Sequence, residues 1–332
     1  MKAIGIILAG GNNNRMKELT AKRAVPALPV AGSFRSIDFA LSSMSNSHIQ
    51  TVAVLTQYNA RSLNEHLSSS KWWNFGRKQG GLFLFTPTVT ADNSDWYRGT
   101  ADAMYQNIDF LKRRHEPYVI ISSGDCVYKL DFNRVLDFHI EKKSDITVVC
   151  KDMMYNDDVS RFGVVRMDDE SRITEFDEKP IEALSNTIST GIYVIRRRQL
   201  IELLEAAAEE NRFDFVNDIL VRYKNVKKIY GYKINSYWNN IADIDAYFKT
   251  NMDFLRPDVR SYFFREEPTI CSKVDDLPPA KFNPGSDISN SLVSSGCIIN
   301  GSVEDSVLFK QVFVGKNTTV KNCVIPVSYT HL

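Results

Sequence analysis

The sequence has no paired cysteines, no long apolar run and almost no net charge. Each of these absences excludes one class of protein. Its 332 residues include five scattered cysteines without a Cys-x-x-Cys pair. This excludes a disulfide framework and favours reduced thiols. No apolar stretch approaches the ~20 residues of a membrane span. The 41 basic and 40 acidic residues leave a charge of +1, so no global field attracts nucleic acid.

The apolar start of the chain resembles a signal peptide only superficially. Residues 3–9 lack a cleavage-like site and run directly into Gly10-Gly11, which fits a buried first strand better. We therefore expect a cytoplasmic protein with neither a membrane nor a nucleic acid as partner.

Up to about residue 255, short β-branched runs alternate with amphipathic stretches. The predicted strands are 2–8, 51–56, 118–122, 145–151 and 187–195, and the predicted helices are 35–47, 100–114, 132–142 and 197–211. Such alternation predicts an α/β domain with a mostly parallel sheet covered on both faces. Its ligands are expected beyond the carboxyl ends of the strands.

The composition then changes. Five of the eleven prolines fall between residues 257 and 284, and we expect a linker over 256–286 because proline interrupts regular elements. From 287 to 325 apolar residues recur in six-residue steps, at Leu292, Ile298, Leu308, Val314 and Val320. One buried aliphatic residue per six predicts a short parallel β-helix. The tail 326–332 breaks the repeat, and we expect the β-helix to be truncated.

Several motifs follow the strands. The first is Gly10-Gly11-Asn12-Asn13-Asn14-Arg15, in which adjacent glycines let backbone amides approach phosphate oxygens. The others, in chain order, are Phe34–Ser42, Leu55–Tyr58, Trp96–Ala103, Gly124–Lys129, Phe162–Val164, Glu175–Pro180 and Ser189–Tyr193.

In their order and spacing these motifs resemble the ADP-glucose pyrophosphorylase family. The resemblance implies a Rossmann-like nucleotidyltransferase domain over 1–255 that joins ATP to glucose 1-phosphate, followed by a left-handed β-helix for assembly and regulation. It also implies Mg²⁺ as the cofactor, because the reaction must offset three phosphate charges while a sugar phosphate attacks the α-phosphate and pyrophosphate leaves.

The resemblance assigns roles residue by residue. It places Arg15 on the ATP phosphates and Asp125 on magnesium, as the catalytic groups. The implied binding residues are Gly10, Gly11, Gln57, Gly99 and Thr100 for the nucleotide, Glu178 and Lys179 for the glucose and its phosphate, and Ser189 and Gly191 nearby. Structural roles compete with these: a solvated loop charge at Arg15, a helix cap at Asp125 and a surface ion pair at Glu178–Lys179.

Three departures fall on the groups that carry the chemistry. The family's Arg-Ala-Lys-Pro-Ala has Val25 in place of lysine, and its glycine-rich loop reads Asn12-Asn13-Asn14. Its magnesium-binding Trp-x-Asp-Val-Gly-Thr appears as Trp238-Asn239-Asn240-Ile241-Ala242-Asp243, so Asn240 replaces an aspartate. An amide is a poor ligand for a hard cation. Asp243 is expected to cap a helix rather than to replace the lost carboxylate.

These departures make the chain most similar to the bacterial regulatory, catalytically impaired subunit of glycogen synthesis. That comparison implies a catalytic partner of the same family, as a heterotetramer, and ATP, glucose 1-phosphate or a related effector as ligand. Magnesium binding by this chain is then in doubt. The alternative is an active sugar-phosphate nucleotidyltransferase. A hexapeptide-repeat acyltransferase is disfavoured, because none of the five histidines lies within the repeat.

Overall fold

The computed structural model describes residues 2–12, 14–76, 80–89, 95–154 and 157–326. The strands of the first domain are β1 Ala3–Ala9, β2 Pro29–Val30, β3 Phe34–Arg35, β4 Thr51–Thr56, β5 Gly81–Phe85, β6 Tyr118–Ser123, β7 Cys126–Tyr128, β8 Ile146–Asp152, β9 Gly163–Met167, β10 Ile173–Glu178, β11 Thr187–Arg196, β12 Ile229–Lys233 and β13 Trp238–Asn240. The helices are α1 Ser36–Asn46, α2 Arg61–His66, α3 Thr100–Tyr105, α4 Ile108–Lys112, α5 Phe132–Glu141, α6 Arg197–Glu209, α7 Ile244–Asp253 and α8 Pro257–Phe264.

The core of this domain is one large mixed sheet. Its strands follow the order β10-β9-β11-β6-β1-β4-β5, with β8 on β11 and β12 on β8. Strand β1 lies between β4 and β6 and is parallel to both, whereas β11 runs antiparallel to β6 and β8. Since β1 is almost entirely apolar and buried, its two faces are covered by helices, as the α/β prediction requires.

The predicted elements of the first domain are confirmed except for one helix. Helix α5, for example, buries Phe132, Val135, Leu136 and His139 along one face, the spacing of an amphipathic helix. The predicted helix 100–114 is instead the pair α3 and α4. At the break, the Asn107 amide donates to the carbonyl of Ala103 at 2.8 Å and to the Tyr97 hydroxyl at 2.9 Å. Side-chain bonds of this kind compete with helix continuation.

The second domain consists of three-strand parallel sheets. Its strands are β14 Lys281–Phe282, β15 Asp287–Ser289, β16 Leu292–Val293, β17 Ile298–Ile299, β18 Ser302–Glu304, β19 Val307–Leu308, β20 Phe313–Val314, β21 Thr319–Lys321 and β22 Val324–Ile325. They stack as β14-β17-β20, β15-β18-β21 and β16-β19-β22, the arrangement of a β-helix with three sides.

In the first coil of the six-residue repeat, the residues predicted to face the interior are not the ones that do. Ile298 is 39% exposed, whereas Ile299 is fully buried. Likewise Val293 packs into the coil interior, while Leu292 faces Leu255 and Val307 at the contact with the first domain. Alternate strand residues point to opposite faces, so an apolar pair such as Ile298-Ile299 leaves the buried member undecided from sequence.

The segment predicted as a linker contains regular structure. Helix α8 begins at Pro257 and buries Phe263 in the core of the first domain. Strand β14 already pairs with β17, six residues before the predicted start of the repeat. A proline at the first position of a helix is compatible with it, which explains why Pro257 did not interrupt the fold. Of the predicted tail, only Pro326 lies within the described residues.

All five cysteines are free thiols. Among the described residues, no helix is long and apolar enough to cross a membrane.

Candidate functional site

A cavity of about 530 Å³ opens at the carboxyl ends of β1 and β4, beyond the end of β6. This is the position expected for ligands of a parallel sheet. Eight of the residues singled out from the sequence lie together in its wall: Gly10, Gly11, Asn12, Val25, Gln57, Gly99, Thr100 and Asp125.

One side of the cavity is formed by the turn before α3. We call it the nucleotide side, because the sequence predicts nucleotide contacts at Gly99 and Thr100. A Cβ atom on Gly99 would overlap the carbonyl oxygen of Phe213. That same oxygen accepts hydrogen bonds from the amides of Ala101 at 2.8 Å and Asp102 at 3.2 Å. The Thr100 hydroxyl accepts from the amide of Phe215 at 2.8 Å. The turn is therefore fixed by backbone contacts that only glycine permits at position 99.

Gln57 fastens the same turn to the end of β4. Its Oε1 accepts from the Tyr97 amide at 2.6 Å, and its Nε2 donates to the Tyr97 carbonyl at 3.3 Å. The side chain thus presents its amide edge to the main chain of Tyr97. A ligand that hydrogen-bonds to Gln57 must share or displace these bonds.

Arg98 belongs to the motif Trp96–Ala103, but the sequence predicted no role for it. It is the one basic residue in the wall of this cavity among the described residues. Its guanidinium lies 3.8 Å from the centre of the Phe213 ring and 3.4 Å from the Asp102 carboxylate. Its position between Tyr97 and Gly99, in a motif already identified, was the signal that could have found it.

The opposite side is built around Asp125. We call it the metal side, because Asp125 is the residue predicted to bind magnesium. This half-buried aspartate follows β6, and its Oδ1 accepts from the Ser123 hydroxyl at 2.5 Å. Its main-chain carbonyl accepts from the amide of Ile241 at 2.9 Å. Asp125 precedes a strand and not a helix, which rules out the helix-cap alternative.

Asn240 lies next to Asp125 because β13 pairs with β7, with Asn240 opposite Cys126. Its Oδ1 accepts from the amide of Ala242 at 3.0 Å, and its Nδ2 lies 3.4 Å from the Cys126 sulfur. The amide oxygen is therefore engaged with its own backbone. A magnesium ion would find one carboxylate here, and the described residues contain no group of three or more acidic, histidine or cysteine side chains arranged to hold a metal.

Val25 forms part of the wall between these two sides. It is only 4% exposed and packs with Met16 and Ile241. At the position where the resemblance implies a lysine, the cavity wall is thus apolar.

Asp243 caps α7, as predicted. Its Oδ1 accepts from the amide of Ala246 at 2.7 Å, and its carboxylate also forms an ion pair with Arg161. Burial lowers the pKa of Arg161, with the charge of Arg15 acting in the same direction and Asp158 opposing both. Both of these contacts of Asp243 are structural, and neither of them involves Asp125.

The residues predicted to bind the sugar lie outside the wall of this cavity. The Glu178 carboxylate and the Lys179 ammonium form an ion pair at 3.1 Å, as the structural alternative supposed. Burial raises the pKa of Glu178 more than Lys179 lowers it. Ser189 is buried, and Gly191, with a φ of +74°, lies against Ser123, the residue that donates to Asp125. Gly191 therefore adjoins the metal side.

Arg15 is also outside the cavity wall. It is the second residue of the short 3-10 helix Asn14–Thr20 and is exposed. The pKa of Asp158 is lowered first by hydrogen bonds from Ser160 and then by the charges of Arg161 and Arg15. Arg15 is therefore close to the loop before β9. Asn13, in the same glycine-rich loop, lies outside the described residues.

Comparison with known proteins matches both domains. The nucleotidyl transferase family matches residues 4–256, and the GlmU-like C-terminal hexapeptide family matches residues 278–329. The glucose-1-phosphate adenylyltransferase of Clostridium novyi is 38% identical over 320 residues, which cover 96% of this chain and 84% of the relative. The corresponding protein of Pseudothermotoga lettingae is 39% identical, with 96% and 76% covered. That of Geobacillus stearothermophilus is 36% identical, with 96% and 83% covered.

Proposed function

Since the chain belongs to the glucose-1-phosphate adenylyltransferase family, we propose that it is the regulatory, catalytically impaired subunit of such an enzyme. It would act in the cytoplasm, in bacterial glycogen synthesis, and assemble with a catalytic subunit of the same family as a heterotetramer. ATP, glucose 1-phosphate or a related effector would occupy its cavity and alter the rate of the partner.

The observation that carries this proposal is the environment of Asn240. A second metal carboxylate belongs at this position in the family, but here a neutral amide has its oxygen on the amide of Ala242 at 3.0 Å. Magnesium prefers carboxylate oxygens and keeps strict geometry. Because the Asn240 side chain is neutral, it contributes less to such a site than a carboxylate would.

The loss at position 25 acts on the same reaction. Adenylyl transfer needs positive charge close to the phosphates as the sugar phosphate attacks and pyrophosphate leaves. Val25 supplies none, and Arg98 is the one cation in the described wall. A single preorganised charge of this kind is worth about 3 kcal/mol, or 10²–10³ in rate.

The remaining groups suit binding and orientation. Asp125, steadied by Ser123, is the residue that would hold magnesium, together with the phosphates of the nucleotide. Magnesium bound there would offset the charge that develops on the phosphate oxygens. Gln57, Gly99 and Thr100 would position the nucleotide, whether or not it reacts.

The second candidate is an active adenylyltransferase. It is favoured by the retention of Gly10, Gly11, Gln57, Gly99 and Asp125 in one cavity. Under this alternative, Asp125 alone suffices for metal binding and Val25 is tolerated.

Reconstitution with a catalytic subunit of the family tests the proposal. ADP-glucose formation is measured for the partner alone, for the partner with this chain, and for the partner with the Gly99→Ala variant of this chain. We expect the wild-type chain to change the rate or the substrate dependence of the partner, and the variant to lose that effect. Equal rates in all three samples, with assembly shown by size-exclusion chromatography, would contradict a regulatory role.

A further inference from the structure

Asp243 stands where the resemblance to the family implies a threonine, and it adds a negative charge beside the metal side of the cavity. It lies three residues beyond Asn240, whose side chain accepts from the amide of Ala242 at 3.0 Å. Its carboxylate forms an ion pair with Arg161, in the loop before β9. This ion pair therefore joins the metal side to that loop.

Arg161 lies beside the residues predicted to bind the sugar phosphate. In the antiparallel pair of β9 and β10, Gly163 lies opposite Glu178. One step further along, the carbonyl of Phe162 accepts from the amide of Lys179 at 3.1 Å. Arg161 comes directly before this contact, with its guanidinium 5.1 Å from the centre of the Phe162 ring. Arg161 and Lys179 are therefore at the same end of the strand pair.

Both of these cations are paired with a carboxylate. The Lys179 ammonium lies 3.1 Å from the Glu178 carboxylate, and the Lys179 side chain is 63% exposed. The side chains of Arg161 and Asp243 are only 24% and 25% exposed. Charges interact more strongly when they are withdrawn from water. A ligand that binds at this end therefore competes mainly with the pair of Arg161 and Asp243.

Arg161 also lies close to Arg15, the residue predicted to bind the ATP phosphates. Burial lowers the pKa of Arg161; of the nearby charges, Asp158 opposes this, Arg15 adds to it and Asp245 opposes it. Two guanidinium groups repel each other, and an anion that lies between them removes this repulsion. The surroundings of Arg161 thus favour a phosphate on the sugar side of Arg15.

The chemistry of a guanidinium explains why a carboxylate at position 243 matters. A guanidinium presents five N–H donors in a planar fork and binds a phosphate through two of them. Asp243 engages Nη1 of Arg161. A carboxylate in this place takes up a donor that a phosphate would use, and its charge repels the phosphate.

We propose that Arg161 is a phosphate-binding residue for glucose 1-phosphate and that Asp243 competes with the phosphate for it. The ion pair between Arg161 and Asp243 opens when the ligand binds. This inference rests on the proposed function, in which glucose 1-phosphate is a ligand of the chain, but not on any effect upon a partner. Asp243 thus lowers the affinity of the site without removing a binding group.

Titration calorimetry of the whole chain with glucose 1-phosphate, up to about 1 mM, tests the proposal. Asp243→Asn still offers a residue that can cap α7 but removes the competing charge. We expect its affinity for glucose 1-phosphate to rise about tenfold or more, since hydrogen bonds to charged groups are the strong ones. Arg161→Gln should lower the affinity by a similar factor, and adding Asp243→Asn to it should bring no gain. Arg161→Lys, which keeps the charge but not the planar fork, should retain part of the affinity.

Asp245→Asn is the matched control. Asp245 is an exposed aspartate in the first turn of the same helix, and its charge also acts on Arg161, whereas the ion pair is made by Asp243. Its removal should leave the affinity nearly unchanged. An equal gain in Asp245→Asn, or an equal gain for uncharged glucose in Asp243→Asn, would overturn the proposal.

Thermal melting separates this role from a merely structural one. Asp243→Asn loses an ion pair, so it should melt at or below the wild-type temperature and yet bind glucose 1-phosphate more tightly. Unchanged or weaker binding would overturn the proposal, as would a gain for ATP but not for glucose 1-phosphate. It would also be overturned if neither the wild type nor Asp243→Asn bound glucose 1-phosphate. The regulatory role is tested separately, by reconstitution with the catalytic partner.

Discussion

The two sides of the cavity differ in which features implied by the family resemblance they contain. On the nucleotide side, Gly99 packs against Phe213 and Gln57 holds Tyr97, so two residues that carry the resemblance to the family are fixed by contacts with the main chain. On the metal side the backbone is also regular, because β13 pairs with β7. There, however, Val25 and Asn240 are neutral at positions where the resemblance to the family implies charged residues.

This difference indicates that the groups that position a ligand and the charges that catalyse its reaction can be lost independently. Main-chain contacts position a ligand, and they survive when a side chain is exchanged for one of similar size. Catalysis of phosphoryl transfer depends on charges close to the reacting phosphate. A domain can therefore lose turnover while its cavity remains suited to binding, which is what a regulatory subunit requires.

The largest expected effect comes from disturbing the nucleotide side. Gly99→Ala places a Cβ atom against the Phe213 carbonyl, which must shift together with the amides of Ala101 and Asp102. We expect a loss of about 1–3 kcal/mol of stability, as for other overpacked sites, and a loss of ATP binding. Thermal melting and calorimetric titration with ATP measure the two effects.

Gly11→Ala is the control for this prediction. A Cβ atom on Gly11 would have no neighbour within 4 Å, so its melting temperature should stay close to that of the wild type. Equal destabilisation of both variants would show that the close approach at Gly99 is not the cause.

A smaller effect is expected from the metal side. If Asp125 is the one protein carboxylate for magnesium, Asp125→Asn should remove the gain in ATP affinity that Mg²⁺ brings, by about tenfold or more. Titrations with and without Mg²⁺ measure this gain.

Asp243→Asn provides the comparison for Asp125→Asn. Asparagine can still cap α7, and only the ion pair with Arg161 is lost. This variant should keep the Mg²⁺ gain. Loss of the gain in Asp243→Asn would mean that Asp243 serves the metal after all.

The smallest expected effect concerns Glu178, which lies outside the cavity wall. Burial raises its pKa above the ordinary value of 4.5, so the folded protein binds this proton more readily than the unfolded chain. Its contribution to stability is complete below 4.5 and is lost as the pH rises through the folded pKa. Melting temperatures from about pH 4 to about pH 7 should therefore fall for the wild type relative to Glu178→Gln. Parallel curves of melting temperature against pH for the two proteins would show that burial does not destabilise the charged form of Glu178.

Most of the fold followed from periodicity in the sequence. The apolar runs of β1 and β4 and the spacing along α5 define elements whose burial depends on local pattern alone. The helix pair α3 and α4 was missed because its break depends on Asn107, whose partners Tyr97 and Ala103 cannot be paired from sequence. The inward residue of Ile298-Ile299 was missed because both are apolar.

The candidate site was predictable where motifs follow strands. Gly10, Gln57, Gly99 and Asp125 lie in one cavity because the ends of β1, β4 and β6 meet at one edge of the sheet. The helix cap at Asp243 also followed from its position. The pairing of Asp243 with Arg161 did not, because it depends on a contact between distant segments.

The most direct test of the account is the activity of the lone chain before and after the missing charges are restored. The wild type should form negligible ADP-glucose. Val25→Lys combined with Asn240→Asp should form it at least about a hundredfold faster, and each single change should achieve less, because groups that act on one transition state are not additive. Wild-type turnover at about 10 s⁻¹, the median for enzymes, would contradict the account. So would a double variant that folds, binds ATP and still makes no product.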